Sequence, residues 1–320
     1  MMKLGEMYEL AIQMAIEADP RPKKEILDDL KELKQKYKKM KKEDKIGFDE
    51  EKLKNPYADS RVLVGDLNKK IVCILCGIDM ETSEILLANE LNKQGAKIDL
   101  ILAHHPEGRA LQGLGDAMKL QEHIMESAGV PINITEKVLA PRIAEVKRAL
   151  HADNFNRVAM AAELLGMAFA CFHTLADNQV YAFLEKNVSN KKHRRVKDVI
   201  EALLKIPEYK ISAEQGNKPE VVSGSENSYA GKIVATEMTG GTSGSDKIFE
   251  KLEHAGVSTI LSMHCGEKHR EMAEKHHINV IVAGHMASDS LGMNLLLDEF
   301  EKRGVKIIPA SGLIRVSRNK

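Results

Sequence analysis

Short apolar runs alternate along this chain with longer segments in which apolar positions recur every three or four residues. The runs lie at residues 61–65, 70–77, 98–103, 167–172, 232–238, 257–263, 280–283, 307–311 and 313–316. Each run has the length of a buried strand, and the segments between them have the periodicity of amphipathic helices. Strands that alternate with helices in this way predict an α/β fold with mostly parallel sheets and right-handed crossovers.

The same pattern predicts three regions along the chain. Residues 1–55 are expected to form an N-terminal helical extension, whose second helix carries a heptad stripe and a lysine-rich opposite face. Interspersed Glu and Asp favour a solvated face there over an arm that binds a polyanion. Residues 56–187 and 188–320 are expected to form a first and a second α/β lobe.

The clearest candidate chemistry follows the apolar run 98–103. His104 and His105 come directly after it, and Pro106 ends the strand because proline cannot continue a central strand. In open α/β sheets, ligands collect at the carboxyl ends of strands. Both imidazoles can therefore serve one site, and the alternative is a pair of unrelated histidines in a loop.

Two further runs end in residues of similar chemistry. Asp177 lies beyond the run 167–172, where a helix N-cap is the alternative role. His285 and Asp289 are four residues apart at the start of a helix, so they project from one face, although capping or dipole effects could explain each. Imidazoles and carboxylates without thiolates suit zinc, iron, manganese or cobalt, and five such ligands suit a pair of divalent ions.

A glycine-rich segment at residues 239–246 separates a strand from a helix. Candidate phosphate-binding residues are Gly240, Gly241, Ser243 and Ser245. Backbone N–H groups at a helix start can hold an anion, but the segment lacks the lysine of a Walker loop, and a tight capped turn is the alternative. Glu267 and His269 are candidate catalytic residues that could carry protons, as are His173 and His264.

Composition excludes several classes of function. Lys+Arg and Asp+Glu are equal at 47 each, so no net charge draws the protein to nucleic acid or an anionic membrane. Aromatic residues make up only 4%, which argues against a base-stacking platform. No apolar run is long enough to cross a bilayer, no signal peptide is evident, and the four cysteines form no framework. A cytoplasmic protein is therefore expected.

Taken in order, the motifs resemble those of the NIF-three-like dinuclear metal-binding family, which carries the label GTP cyclohydrolase I type 2-like. The resemblance is carried by Asp59-Ser-Arg-Val-Leu-Val-Gly65, Gly77-Ile-Asp79, His104-His-Pro106, His173-Thr-Leu-Ala-Asp177, Gly240-Gly-Thr-Ser-Gly244, Cys265-Gly-Glu-Lys-His269 and Gly284-His-Met-Ala-Ser-Asp289. It spans about residues 56 to 320.

This resemblance implies two α/β lobes that face each other over two divalent metal ions, in a ring-shaped homohexamer. It implies a metal-dependent hydrolase that acts on a nucleotide or a related small molecule, with GTP as the family-level substrate. The chain departs from the family in having Asp289 where Glu is usual, Leu175 and Ala176 in place of Asn-Leu, and an insertion near residues 110–160. The alternative is a metal-handling or scaffold protein without catalytic turnover.

Overall fold

The computed structural model describes residues 2–319 and contains two main sheets, each flanked by helices. The strands are β1 (Met2–Lys3), β2 (Ser60–Val64), β3 (Lys70–Ile71), β4 (Cys73–Gly77), β5 (Leu100–Ala103), β6 (Ala168–Phe172), β7 (Glu220–Ser223), β8 (Lys232–Ala235), β9 (Val257–Ser262), β10 (Asn279–Val282) and β11 (Lys306–Pro309). The helices are α1 (Leu4–Glu17), α2 (Lys23–Lys39), α3 (Thr82–Lys93), α4 (Gly108–Gln112), α5 (Leu114–Ala117), α6 (Leu120–Ser127), α7 (Ile132–His151), α8 (Arg157–Leu164), α9 (His173–Leu184), α10 (Val196–Leu203), α11 (Pro207–Glu214), α12 (Ile248–His254), α13 (Glu267–Lys275) and α14 (His285–Lys302). A 3-10 turn at Glu50–Leu53 and a π turn at Glu185–Ser189 complete the helical elements of these residues.

The first sheet has the strand order β11-β4-β5-β6-β2. Its strands run parallel except β2, which pairs antiparallel with β6. The three central strands, β4, β5 and β6, are buried along their whole length, as expected for a parallel sheet covered on both faces. Helices α1, α9 and α14 cover one face, and α3 and α8 cover the other.

The second sheet has the order β7-β10-β9-β8, with only β7 antiparallel to its neighbour. Its core includes side chains from α6, α10 and α12, together with part of α9 and of α14. Because α9 and α14 also contribute to the core of the first sheet, these two helices lie between the sheets. The α/β class with mostly parallel sheets is therefore confirmed.

At the C-terminal end of the chain, the strand pairing does not follow the expected division into two lobes. Strand β11 pairs with β4, so residues 306–309 belong to the first sheet and not to a lobe formed by 188–320 alone. Helix α14 therefore starts at the second sheet and leads back to the first. An apolar run predicts a strand but carries no information on its partner, which is why the sequence pattern missed this crossing.

The beginning of the N-terminal region packs into the core of the first sheet. Strand β1 pairs with β3, and α1 buries Leu4, Met7 and Ala11 in the core of the first sheet. Helix α2 is different, because only Ile26 and Leu30 of its apolar stripe are buried. Its lysine-rich face is exposed, in line with the expectation of a solvated face.

Two expected strands end differently in the structure. The run 232–238 leaves the sheet after Ala235, because Glu237 has a φ of 53°, a left-handed conformation incompatible with a strand. Residues 313–316 form no strand, and side chains fix them instead: Ser290 Oγ accepts the Ile314 N–H, and Arg315 pairs with Asp298. Among residues 2–319, no helix combines the length and the apolar character needed to cross a membrane.

Candidate metal centre

The first two candidate ligands leave the end of β5. The His104 N–H donates to the Gly77 carbonyl and the His105 N–H to that of Ile78, so both residues continue the pairing with β4. His104 is fully buried, while His105 remains partly exposed. The strand end thus places one imidazole inside the protein and the next at the rim of the site.

Helix α9 supplies the next candidates directly after β6. It begins at His173, so Asp177 lies one turn inside the helix. The alternative role of Asp177 as an N-cap is therefore wrong. Because residues four apart share a helix face, the His173 and Asp177 side chains project together, with Nε2 and Oδ2 3.7 Å apart.

Helix α14 brings the remaining candidates against α9. A Cβ added to Gly292 would lie 2.4 Å from the Ala176 carbonyl oxygen, so only glycine permits this close helix crossing. His285 is the first residue of α14, and Asp289 follows one turn later in a fully buried position. The tight crossing places Asp289 beside the candidates of α9.

Asp289 lies at the centre of the group. Its Oδ1 is 3.4 Å from His104 Nε2, and its Oδ2 lies 3.4 Å from His105 Nε2 and 3.5 Å from His285 Nε2. His104 Nε2 is also 3.3 Å from Asp177 Oδ1. The structure therefore brings together all five residues expected as metal ligands. We call these five plus His173 the ligand cluster.

Several buried polar atoms of the ligand cluster have no hydrogen-bond partner within residues 2–319. They are both ring nitrogens of His104, both carboxylate oxygens of Asp289, and Asp177 Oδ1. Leaving such atoms unpaired in a folded interior is costly, so they point to a ligand that would pair with them. Three overlapping sets of donor atoms, each within 4.8 Å of one another, could hold metal ions: His104–His105–His173, His105–His285–Asp289 and His104–Asp177–Asp289. Their nitrogen and oxygen donors fit zinc, iron or manganese.

Burial and mutual charge separate the pKa values within the cluster. Burial lowers the pKa of His104 to about 4 and raises that of Asp177 to about 8. Burial also lowers the pKa of His173, but the carboxylates Asp177 and Asp59 outweigh it and raise the pKa to about 9. The pKa of Asp289 lies well below its usual range, because the neighbouring histidines outweigh the effect of burial. Perturbed values of this kind are typical of functional sites.

Two further carboxylates orient the rings of the cluster. Asp79 Oδ1 is 2.6 Å from His105 Nδ1, and Asp59 Oδ2 is 2.8 Å from His173 Nδ1. Asp59 also accepts a hydrogen bond from the Thr174 hydroxyl at 2.7 Å. In both cases the other ring nitrogen, Nε2, is left to face the cluster, as is usual when a carboxylate supports a metal-binding histidine.

Residues of the second sheet line the opposite side of the same pocket. This facing wall consists of Glu237, Thr239, Gly241, Thr242, Met263 and His264. Glu237 Oε2 is 3.5 Å from His264 Nδ1, and its Oε1 lies 3.6 Å from His269 Nε2 and accepts the Gly244 N–H at 2.9 Å. The His264 ring in turn lies 5.2 Å from that of His285. We call the space between the cluster and this wall the inner pocket. Its volume of about 20 Å³ suits an ion or a water molecule but no organic substrate.

The glycine-rich segment turns out to have several roles. Gly240 packs against α6, where the Gln121 side chain donates to the Gly240 and Thr242 carbonyls at 2.7 and 2.6 Å. Gly241 lines the inner pocket, whereas Ser243 and Ser245 line a larger cleft outside it. Only the two serines are therefore placed to meet an external ligand in that cleft.

The two expected catalytic residues lie outside the inner pocket. Glu267 is exposed at the start of α13, and its carboxylate is paired with Arg270. His269 lines the larger cleft and reaches the facing wall only through Glu237. A direct role at the ligand cluster is therefore not supported for Glu267, and His269 could act there only through Glu237.

Sequence reasoning missed two residues of the pocket. His173 is predicted above only as a proton carrier, although its spacing of four from Asp177 repeats the spacing of His285 and Asp289. Glu237 falls in the run 232–238 that predicts a strand, and no sequence signal marks its left-handed backbone. Such strained non-glycine residues concentrate at functional sites.

No family model and no curated protein sequence matches this chain. Among solved structures, the chain is similar to a NIF3 superfamily protein from Sphaerobacter thermophilus, with 28% identity and a TM-score of 0.70 over 80% of this chain and 92% of that one. Reduced HcgD from Methanocaldococcus jannaschii aligns with 18% identity and a TM-score of 0.49 over 84% and 97% of the two chains. A Bacillus cereus protein related to NIF3 aligns with 11% identity and a TM-score of 0.43 over 78% and 90%. Only the first of these is similar enough to support an argument.

Proposed function

Since this chain belongs to the NIF3-like family, we propose that it binds two divalent metal ions and hydrolyses a nucleotide or a related small molecule. The proposed ligands are His104, His105, Asp177, His285 and Asp289, with His173 as a sixth. The observation that carries the proposal is the convergence of buried imidazole and carboxylate atoms without hydrogen-bond partners among the described residues.

Divalent ions held there would supply Lewis-acid activation of water near neutral pH. The protein itself supplies the remaining groups. Glu237 faces the cluster across the inner pocket, with Oε1 held by the Gly244 N–H and Oε2 beside His264. Glu237 can therefore hold a proton at Oε2 and exchange it with His264 Nδ1, which gives it the role of general acid or base.

The main test combines metal analysis with turnover. We expect two equivalents of zinc, iron or manganese in protein purified without added chelator, measured by elemental analysis. Metal-loaded protein should then hydrolyse at least one nucleotide in a screen read by chromatography, and the His104→Ala variant should not. Bound metal without turnover of any nucleotide would contradict the proposed substrate class.

A second candidate function is metal handling without turnover. The observation in its favour is that His285 and His105 are 39% and 26% exposed, so an ion on that side is open to solvent. Rapid exchange with isotopically labelled metal, together with transfer to an apo acceptor protein, would support this candidate. Slow exchange with catalytic turnover would contradict it.

We further propose that the protein is a homo-oligomer, in line with the hexamer that the family resemblance implies. Exposed apolar side chains on the packed helices α3 and α8 support this proposal, and they are Leu86, Leu87, Met160 and Leu164. Exposed apolar residues clustered on neighbouring helices often mark an interface between proteins. Light scattering should show an oligomer that the Leu164→Glu variant dissociates, and a monomeric wild-type protein would contradict the proposal.

A further inference from the structure

A cleft beside the inner pocket has a volume of about 580 Å³, within the range of small-molecule sites. One side of it is formed by α7 and the other by residues 243–247 and the start of α13. Helix α7 lies within residues 110–160, where the family resemblance implies an insertion.

Positive charges without partners line the cleft. The charged ends of Arg148, Lys247 and Lys268 have no hydrogen-bond or ion-pair partner within residues 2–319, whereas Arg142 binds Glu145 and the Ser243 carbonyl. Of the three carboxylates that line the cleft, Glu145 pairs with Arg142 and Glu267 with Arg270. Only Asp246, the third of these carboxylates, has no ion-pair partner among the described residues. Three free cations therefore face one free carboxylate.

Neutral donors point into the same space. Gly266 directly precedes α13 and provides no side-chain cap, and its carbonyl accepts the Arg270 N–H as the first bond of the helix. The preceding backbone N–H groups, of residues 267–269, have no partner among the described residues. His269 also lines the cleft, but its Nε2 faces Glu237 Oε1 at 3.6 Å. Fixed N–H donors together with mobile cations are the usual means of holding phosphate groups.

The cleft adjoins the inner pocket. Ser243 lines the cleft, and its Oγ is 3.3 Å from His264 Nδ1, whose ring lies 5.2 Å from that of His285. Ser243 and His264 therefore lie between the cleft and the ligand cluster. The inner pocket is too small for an organic ligand, so the cleft must hold most of it.

We propose that this cleft binds the phosphate groups of a phosphorylated small molecule, through Arg148, Lys247, Lys268 and the first N–H groups of α13. The idea deepens the proposed function, on which its catalytic meaning rests, because it assigns a place and an orientation to the substrate. The phosphate end lies against α7, and the reacting end points toward His264.

The test uses calorimetric titration of the full-length protein, after removal of metal by a chelator and dialysis, with three probes. Inorganic tripolyphosphate reports the phosphate site alone, guanosine triphosphate reports phosphate and base together, and guanosine reports the base alone. We expect wild-type protein to bind the first two. The double variant Arg148→Gln/Lys268→Gln should bind them about ten-fold or more weakly, because two charge-assisted contacts are lost.

A matched control removes the same charge elsewhere. Arg194 and Lys218 are exposed cations of the second half of the chain that do not line the cleft, and Arg194→Gln/Lys218→Gln should bind like wild type. Equal loss in both double variants would show only general electrostatic attraction and would overturn the proposal, as would absence of tripolyphosphate binding by wild type. If the cleft variant loses phosphate while metal-loaded wild type turns over no nucleotide, the site stands and the hydrolase proposal fails.

Discussion

The ligand cluster and the facing wall bound the same small pocket, yet they are constructed in opposite ways. The cluster residues lie at the end of β5 and on α9 and α14, the two helices between the sheets. Of these residues, His104 and Asp289 have no solvent exposure. The facing wall stands on the loops after β8 and β9, where Glu237 has a left-handed backbone and the His264 side chain is 34% exposed. Rigid elements thus hold the proposed metal ligands, and loops hold the groups that would meet a substrate.

This difference indicates that the two sides of the pocket have different roles. Side chains on packed helices and strand ends are fixed by the surrounding core, which suits a metal site with demanding geometry. Loops tolerate substitution and insertion more easily, which suits recognition of a particular ligand. We therefore expect changes in the cluster to remove metal and changes in the facing wall to alter turnover with metal in place.

The largest effect should come from Asp289→Asn. Both oxygens of Asp289 contact histidines of the cluster, so removal of its charge should abolish binding of both ions while the isosteric side chain keeps the fold. Elemental analysis after dialysis should show less than one equivalent of metal, with an unchanged circular dichroism spectrum. The control Asp153→Asn changes an exposed aspartate and should retain both ions.

Replacing Glu237 by Gln tests the facing wall. The variant should keep its metal but lose about a hundred-fold or more in kcat, since a general acid or base typically contributes ~10²–10⁴-fold. Glu214→Gln, at an exposed position of α11, serves as the control. Loss of metal in Glu237→Gln would break the comparison, because the facing wall would then take part in metal binding.

A smaller effect is expected for Asp79→Asn. Asp79 touches the cluster only through the Nδ1 of His105, so its loss should weaken binding of one ion by about ten-fold, the lower end of the usual range for such partners. Competition with a fluorescent chelator should resolve one weakened site and one unchanged site. Two equally weakened sites would mean that His105 is shared by both ions.

The smallest effect concerns the pH dependence of the metal-free protein. His173 and Asp177 have pKa values raised to about 9 and about 8, from 6.5 and 3.8 in the unfolded chain. Both groups therefore bind protons more tightly when folded, and the stability they contribute is lost as pH rises toward 9. His104 has the opposite sign, but its contribution is lost only as pH falls from 6.5 toward about 4.

Calorimetry of chelator-treated protein should consequently show Tm falling by a few degrees, on the order of 3 °C, between pH 6.5 and 9. Asp177→Asn should reduce this slope, because one of the two groups no longer titrates. Metal-loaded protein should show a different profile, since metal binding requires deprotonated ligands. An identical slope in the Asn variant would contradict the raised pKa of Asp177.

Most of the ligand cluster was predictable from sequence because chemistry and topology coincide there. Residues after parallel strands must meet at one edge of a sheet, and His104, His105 and Asp177 all follow such strands. The spacing of His285 and Asp289 identifies one helix face without any knowledge of the fold. Local patterns were sufficient for these residues because each lies at the end of a regular element or within its first turns.

The facing wall was less predictable because it depends on contacts between distant segments. Glu237 adopts its conformation in a loop held by Gln121, more than a hundred residues earlier in the chain. Helix α11 lies in a stretch with few apolar residues and no clear helical periodicity, although Pro207 is well suited to a first helical position. The pairing of β11 with β4 likewise has no signature in either strand.

That pairing has a consequence for the growing chain on the ribosome. Strand β11 forms the edge of the first sheet beside β4, yet it is synthesised only after every strand of the second sheet. Until it emerges, β4 offers an unpaired edge of buried apolar character, the kind of surface that recruits other chains. The nascent protein must therefore carry an open sheet edge through most of its synthesis, and truncation before residue 306 should yield aggregates instead of a smaller folded protein.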